Sequence, residues 1–332
     1  MNEFKGVILA NSDPVADVPN FARRRATELA PVADRPILFH VLAAMRDAGI
    51  VETALIVNSD SGEAIREAVG DGSTWGVRAH YVRCSNPGVL DCVQAARRAL
   101  GGAPVVVHPG NGILMAPLRS MMRRFQRARL QALLPAADAQ CARPDSGIYV
   151  FGKSVYEAAR STERSWRGQL ELHDVVATLR NGRQGVEVRP MADWWSYHGQ
   201  PEELLEANRL VLDGLSDSRQ VSAIKDSVLE GRIAISASAQ VESTTVRGPS
   251  LIGAGARLMD AHIGPYTTVG TLATVRGTEV ENSIIMSGAT VEDVGSRITR
   301  SVIGEGAIVS RDFSMRSVLE FAVAHGSIAT LS

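Results

Sequence analysis

The chain has 332 residues, 45% of them hydrophobic and 21% charged, with 35 Lys and Arg against 36 Asp and Glu for a formal net charge of −1. That length and composition bury one large core or two medium ones, which predicts a globular chain of two domains and excludes a disordered one. Balanced charge provides no field for collecting polyanions, so nucleic acid is excluded as a partner, although Arg23, Arg24 and Arg25 form a short basic run.

The three cysteines, Cys84, Cys92 and Cys141, are odd in number and lack C-x-x-C spacing. They predict reduced core residues rather than a disulfide framework or a zinc site. Met-Asn-Glu-Phe-Lys runs directly into the apolar stretch Gly6–Ala10, without the pattern of a secretory leader, and no apolar run is long enough to span a bilayer. The expected location is cytoplasmic, with no membrane partner.

Up to about residue 212, short apolar runs alternate with amphipathic helical patterns, as in a mostly parallel sheet covered by helices on both faces. Strands are expected at Val7–Ala10, Ala54–Val57, Ala79–Val82, Val105–His108, Leu130–Leu134 and Ile148–Phe151. Helices are expected near 36–48, 62–70, 89–99, 115–127, 170–180 and 201–212. The last has the clearest start, with Pro201 in the first turn and Glu202 and Glu203 at the positive end of the helix dipole.

From about residue 221 the texture changes to β-branched pairs separated by Gly, Ser, Ala and Thr. Apolar residues recur at Ile235, Val241, Val246, Ile252, Leu258, Ile263, Val269, Val275, Val280, Ile285, Val291, Ile298, Ile303 and Val309, mostly in steps of six and five. Each step is one flat face with an aliphatic residue pointing inward and a small residue at the corner, as in Ile252-Gly253, Ile263-Gly264, Val269-Gly270 and Ile303-Gly304. Three steps make a coil, so the pattern predicts a left-handed parallel β-helix of four to five coils. The expected organisation is an α/β domain over 1–213, a linker over 214–221, and the β-helix with a C-terminal tail over 222–332.

Gly6-Val-Ile-Leu-Ala10, Leu29-Ala-Pro-Val-Ala-Asp-Arg-Pro-Ile-Leu-Phe39, Gly70-Asp-Gly…Trp75-Gly-Val77 and Leu204-Leu-Glu-Ala-Asn-Arg-Leu-Val211 together resemble glucose-1-phosphate thymidylyltransferases. Arg247-Gly-Pro-Ser-Leu-Ile-Gly253 and Ile263-Gly-Pro-Tyr-Thr267 resemble the long form of bacterial deoxysugar and aminocyclitol pathways. The resemblance covers nearly the whole chain and implies a Rossmann-like nucleotidyltransferase domain followed by the β-helix.

Nucleotidyl transfer joins two anionic reactants, so its site must supply positive charge and oriented dipoles. The resemblance implies four elements for this. The first is a G-G-x-G-T-R-L loop after the first strand that cradles the triphosphate. Here it reads Asn11-Ser-Asp-Pro-Val-Ala-Asp-Val-Pro-Asn20, with no glycine, two prolines that cannot donate and two aspartates that repel phosphate. The second is a lysine shortly before L-x-P-V, a position held by Thr27. The third is a pair of magnesium-binding aspartates in G-D-N and W-K-D-T-G motifs. The corresponding Gly110-Asn-Gly112 and Trp195-Ser-Tyr-His-Gly199 put Asn111 and Tyr197 at the two metal positions, so neither a metal nor another cofactor is expected. The fourth is the sugar lobe: its F-G-V and E-K-P motifs are missing, the span from Asn111 to Ser146 is shorter than the family's, and G-E-L-E-I-T-D reads Gly168-Gln-Leu-Glu-Leu-His-Asp174.

The base side of the pocket is retained in Leu9, Ala10, the Pro87-Gly88-Val89 turn and Gly147, which would admit the planar ring of a nucleotide or another small molecule and equally serve close packing. His108, Asn111, His173, Asp174, Tyr197 and His198 map to the rim of the old site and include acid–base types, although each is also common at strand ends and helix caps. The expectation is a degenerate homologue without thymidylyltransferase activity, regulating or scaffolding a bacterial sugar or secondary-metabolite pathway as a homo-oligomer or with a pathway enzyme. The alternatives are an enzyme of another class that uses the reshaped pocket, residual thymidylyl transfer, and acyl transfer by the β-helix, which is weakened because His262 lies in a coil that matches the family's own.

Overall fold

The structure is a computed structural model that describes residues 4–11, 26–84, 88–135, 147–166, 168–189, 194–219, 223–311 and 321–322. In chain order its first part carries β1 (Lys5–Ala10), the hairpin arms β2 (Pro31–Val32) and β3 (Arg35–Pro36), α1 (Ile37–Asp47), β4 (Glu52–Val57), α2 (Gly62–Val69), β5 (Arg78–Arg83), α3 (Val89–Leu100), β6 (Val105–Pro109) and β7 (Gly112–Leu114). It continues through α4 (Leu118–Arg127), β8 (Leu130–Pro135), β9 (Tyr149–Phe151), α5 (Ser154–Ser161), α6 (Leu172–Asn181), β10 (Gly185–Arg189), β11 (Trp194–Ser196) and α7 (Pro201–Asp213).

One unit holds β1, residues 26–29 and residues 37–196. Its sheet has the order β10-β8-β9-β6-β1-β4-β5. Alternation along β1 sends Val7 into one core and Ile8 and Ala10 into the other, so the sheet is buried on both faces. Leu38, Leu42, Ile65, Met122 and Phe125 of α1, α2 and α4 fill one core; Cys92, Val93, Tyr156 and Val175 of α3, α5 and α6 fill the other. Each large aliphatic side chain withdrawn from water in this way contributes about 1.5–3 kcal/mol. From β1 the strands step outward to β4 and β5, and then α3 carries the chain back to β6 on the opposite side of β1. The strand order therefore reverses between β1 and β6, and the carboxyl ends of these two strands flank the crevice where sheets of this kind bind ligands.

The expected strands and helices are present. Strand β9 runs antiparallel to both β6 and β8, so the sheet is mixed at that point. The eight-residue helix α5 and the edge strand β10 were not expected from the sequence. The helix expected from 115 begins instead at Leu118, with Pro117 at its N-cap, because proline disfavours helical geometry in the residue before it.

The second unit holds residues 30–36 together with the chain from 197 onward. Its solenoid stacks short strands into three ladders, one beginning at Ser218–Arg219, one at Ala223–Lys225 and one at Val228–Glu230. This is the left-handed β-helix of the repeat, with five complete coils and two strands of a sixth among the described residues. Ile235 stacks on Ile252, Val269, Ile285 and Ile303 down one face, and every inward residue of the repeat is buried except the partly buried Ile298.

Two polar contacts fasten other segments of this unit onto the coils. Ala33 and Asp34 take positive φ values of 49° and 64° in a two-residue hairpin turn, and the Asp34 carboxylate accepts the Thr271 N–H and hydroxyl at 2.9 Å each. Gly253 makes room for it, since a Cβ there would lie 2.6 Å from both Asp34 Oδ2 and Thr271 N. On α7, the buried Asn208 donates from Nδ2 to the Tyr266 carbonyl at 3.0 Å and accepts the Thr268 hydroxyl at 2.7 Å. No helix among the described residues is long and apolar enough to cross a membrane.

Replacing Asn208 with Leu keeps the volume but strands the Tyr266 carbonyl and the Thr268 hydroxyl. We expect a loss of about 1–3 kcal/mol in urea unfolding, whereas an unchanged midpoint would show that Asn208 does not fasten α7.

Candidate active-site crevice

The crevice between β1 and β6 is closed at its floor by backbone. The Gly110 N–H donates to the Leu9 carbonyl at 2.7 Å, extending the β1–β6 pairing that ends at Leu9 and Pro109. Thr27-Glu28-Leu29 forms a single 3-10 turn packed against this floor, and the Glu28 side chain lies so near Gly110 that a Cβ on the glycine would meet Glu28 Cγ at 2.9 Å. Glu28 has no exposed surface and Thr27 is almost fully buried; the Thr27 hydroxyl lies 3.4 Å from Glu28 Oε2. A carboxyl group, in either protonation state, therefore occupies ground beside the position of the family's lysine.

His108 at the end of β6 is fully buried, and its ring lies edge-on to Trp194 of β11 at 5.4 Å between centroids. Its Nδ1 is 2.7 Å from the Pro109 carbonyl, which can only accept, so Nδ1 carries the hydrogen. Burial pushes the imidazole down to about 4, so it is neutral at pH 7 and offers no positive charge. Its Nε2 and the Trp194 indole nitrogen have no hydrogen-bond partner among the described residues. Trp194 covers Gly112, where any Cβ would overlap the indole ring.

The other expected residues separate into distinct settings. Leu9 packs against the core on the α3 face, and Ala10 is buried in the core on the opposite face. Gly88 is the N-cap of α3, and Gly147 precedes β9 with a φ of 142°, a conformation that a side chain would strain. Asn111 occupies the turn between β6 and β7. His173 and Asp174 face solvent on the first turn of α6, where they pair with each other at 3.1 Å. Largely exposed His173 and wholly buried His108 thus do not share one environment.

In the second unit, Tyr197 is buried, and burial together with nearby Glu203 pushes its phenol above the ordinary tyrosine value. His198 serves the start of α7: Glu203 accepts its N–H at 2.7 Å, its Nδ1 at 3.1 Å and the Gln200 N–H at 3.1 Å. Burial raises the Glu203 carboxyl, but these hydrogen bonds outweigh it and hold the group below its ordinary value. The phosphate-loop stretch after Asn11, Arg23 to Arg25, Pro87 and Cys141 lie outside the described residues.

Residues 20–137 match the family described as nucleotidyl transferase. A glucose-1-phosphate thymidylyltransferase from Streptomyces griseus is 33% identical over 314 residues, covering 84% of this chain and 86% of that one. The chain belongs to this nucleotidyltransferase family. A second such enzyme, from Streptomyces antibioticus, is 29% identical over 90% of this chain and 91% of its own. A low-salt glycan biosynthesis nucleotidyltransferase from Haloferax volcanii is 30% identical over 84% of this chain and 87% of its own. A solved Bacillus anthracis chain assigned to the same thymidylyltransferase name has a TM-score of 0.51 at 21% identity, covers 62% of this chain and 94% of that one, and agrees in fold.

The family's magnesium does not fit the residues present here. The positions that the family resemblance assigns to the metal hold an amide, Asn111, and a phenol, Tyr197, whose burial favours its protonated form. Among the described residues no three His, Cys, Asp or Glu side chains gather as metal ligands.

The structure adds residues that the sequence did not single out. Asp91 of α3 is buried beside Gly88, pairs with Arg164 at 2.6 Å and accepts the Leu170 N–H at 3.0 Å, so it ties the segment before α6 to the start of α3. Glu28 is the other addition. Position alone hinted at Asp91, which stands three residues after the N-cap, but nothing in the sequence announced its partners.

Arg164 is half exposed and can turn to water when its partner is lost, whereas the Leu170 N–H cannot. We therefore expect Asp91→Ala to destabilise the protein by about 1–3 kcal/mol and Arg164→Ala to cost clearly less. Equal losses in paired denaturation curves would contradict this assignment.

Proposed function

We propose that this member of the family is non-catalytic, and that it regulates or scaffolds a sugar or secondary-metabolite pathway by assembling with itself or with an active relative. The observation that carries the reading is the buried Glu28 carboxyl beside Thr27, where a triphosphate needs a cation. Neutral His108 adds no charge, and Asn111 and Tyr197 replace the metal carboxylates. Loss of a single preorganised donor typically removes ~3 kcal/mol of transition-state stabilisation, about a hundredfold in rate. Here the losses fall on the lysine, both metal ligands and, by sequence, the phosphate loop and sugar motifs. The effects need not add, but they bear on the same developing charge.

Assembly is supported by the first coil of the solenoid. Among the described residues its strands Ser218–Arg219, Ala223–Lys225 and Val228–Glu230 each pair on one side only, and Ile224 and Val228 are exposed there. Open ladder edges with exposed apolar residues favour pairing with another chain.

Purified protein given thymidine triphosphate, glucose 1-phosphate and magnesium should release no pyrophosphate above the enzyme-free blank. Sedimentation should show an oligomer, or a stable complex with a co-expressed active thymidylyltransferase. Sustained pyrophosphate release would overturn the non-catalytic reading; a strict monomer that binds no active relative would overturn the assembly.

A further inference from the structure

No Asp or Glu lies between Asp91 and Asp138, whereas seven arginines do, in a chain whose formal net charge is −1. Four of the seven, Arg119, Arg123, Arg124 and Arg127, stand on α4, and all four are exposed. Helical geometry sets Arg119, Arg123 and Arg127 four residues apart along one side, about 6 Å per step. The side committed to the core carries Leu118, Met122 and Phe125.

Arg124 is held by Glu187 of β10 in a fork, with Nε 3.2 Å from Oε1 and Nη2 2.8 Å from Oε2, and Arg189 reaches Oε1 of the same carboxylate at 3.6 Å. Among the described residues no carboxylate pairs with Arg119, Arg123 or Arg127. Exposed arginines on the coils are treated differently: Arg247 meets Glu230 and Arg297 meets Glu279, each at 3.0 Å. Like charges four residues apart repel, and the first turn of α4 carries Arg119 and no acid, against the helix dipole. The helix therefore bears a repulsion that a bound anionic partner would relieve.

We propose that the exposed side of α4 is a docking surface for an acidic helix of a partner protein, one that carries Asp or Glu at the same four-residue interval. Guanidinium groups suit carboxylates because their planar fork takes both oxygens at once, as Arg124 already does with Glu187. An anionic membrane fits less well: a surface-bound helix inserts its apolar side, and here that side is buried in the core. Nucleic acid also fits less well, since the balanced net charge supplies no wider field beyond the stripe. Docking on α4 would proceed whether or not the crevice is catalytic.

The test uses the full chain at physiological salt and fluorescence anisotropy with two labelled helical peptides of identical composition. One has glutamates four residues apart on one side, and the other has the same glutamates spread around the helix. The aligned peptide should bind one per chain, about tenfold tighter than the spread one, and high salt should release it. The combined variant Arg119→Gln, Arg123→Gln and Arg127→Gln should lose that preference while melting no lower than the parent chain, because glutamine is a good helix former and the repulsion is gone. Arg124→Gln, which removes the fork to Glu187, should keep the preference. Equal binding of the two peptides, or a preference that survives the triple change, would overturn the proposal. Tighter binding of single-stranded RNA or of phosphatidylserine vesicles than of the aligned peptide would overturn it as well.

Discussion

A parallel β-ladder leaves both faces to be covered, and this chain meets that requirement twice. In the first unit helices lie on both sides of the sheet, so strands such as β4 read as continuous apolar runs. In the second unit the ladder closes on itself, so that Ile235, Ile252, Val269, Ile285 and Ile303 bury one another along one inner face. The crevice follows from the first solution, because reversal of the strand order beside β1 opens a gap only at the carboxyl ends of β1 and β6.

What this gap can hold is a question of charge. A triphosphate and a sugar phosphate bring several negative charges into one small volume, and only cations, a metal or aligned N–H groups make that tolerable. Here the ground beside the lysine position is a buried carboxyl, the strand-end imidazole is neutral because it is desolvated, and the metal positions carry an amide and a phenol. The parts that build the two units persist, including the Asp34 hairpin and the Asn208 clasp on the coils.

Much of the fold was legible because its signals are local. An inward solenoid position admits only an aliphatic residue, which is why the spacing from Ile235 to Val309 revealed the coils before any strand was seen. The direction of β9 was not legible, since Tyr-Val-Phe reads the same whether its neighbours run with it or against it. Edge strand β10 is half exposed and follows a helix closely, so its two valines gave a weak pattern. At the site, substitutions at Thr27, Asn111 and Tyr197 could be read by position. The buried state of Glu28 and the Asp91–Arg164 pair join residues through the fold and leave no mark in local sequence. His173 and His198, grouped by sequence with a common rim, turn out to be an exposed helix-start residue and a partner in the capping of α7.

The central claim is that the crevice has lost its capacity for phosphate and metal while keeping room for a ring. Calorimetric titration with thymidine triphosphate and with thymidine, each with and without magnesium, tests it most directly. The account predicts that the triphosphate binds no more tightly than the nucleoside and that magnesium changes neither. A magnesium-dependent gain of tenfold or more for the triphosphate, about 1.4 kcal/mol, would contradict it.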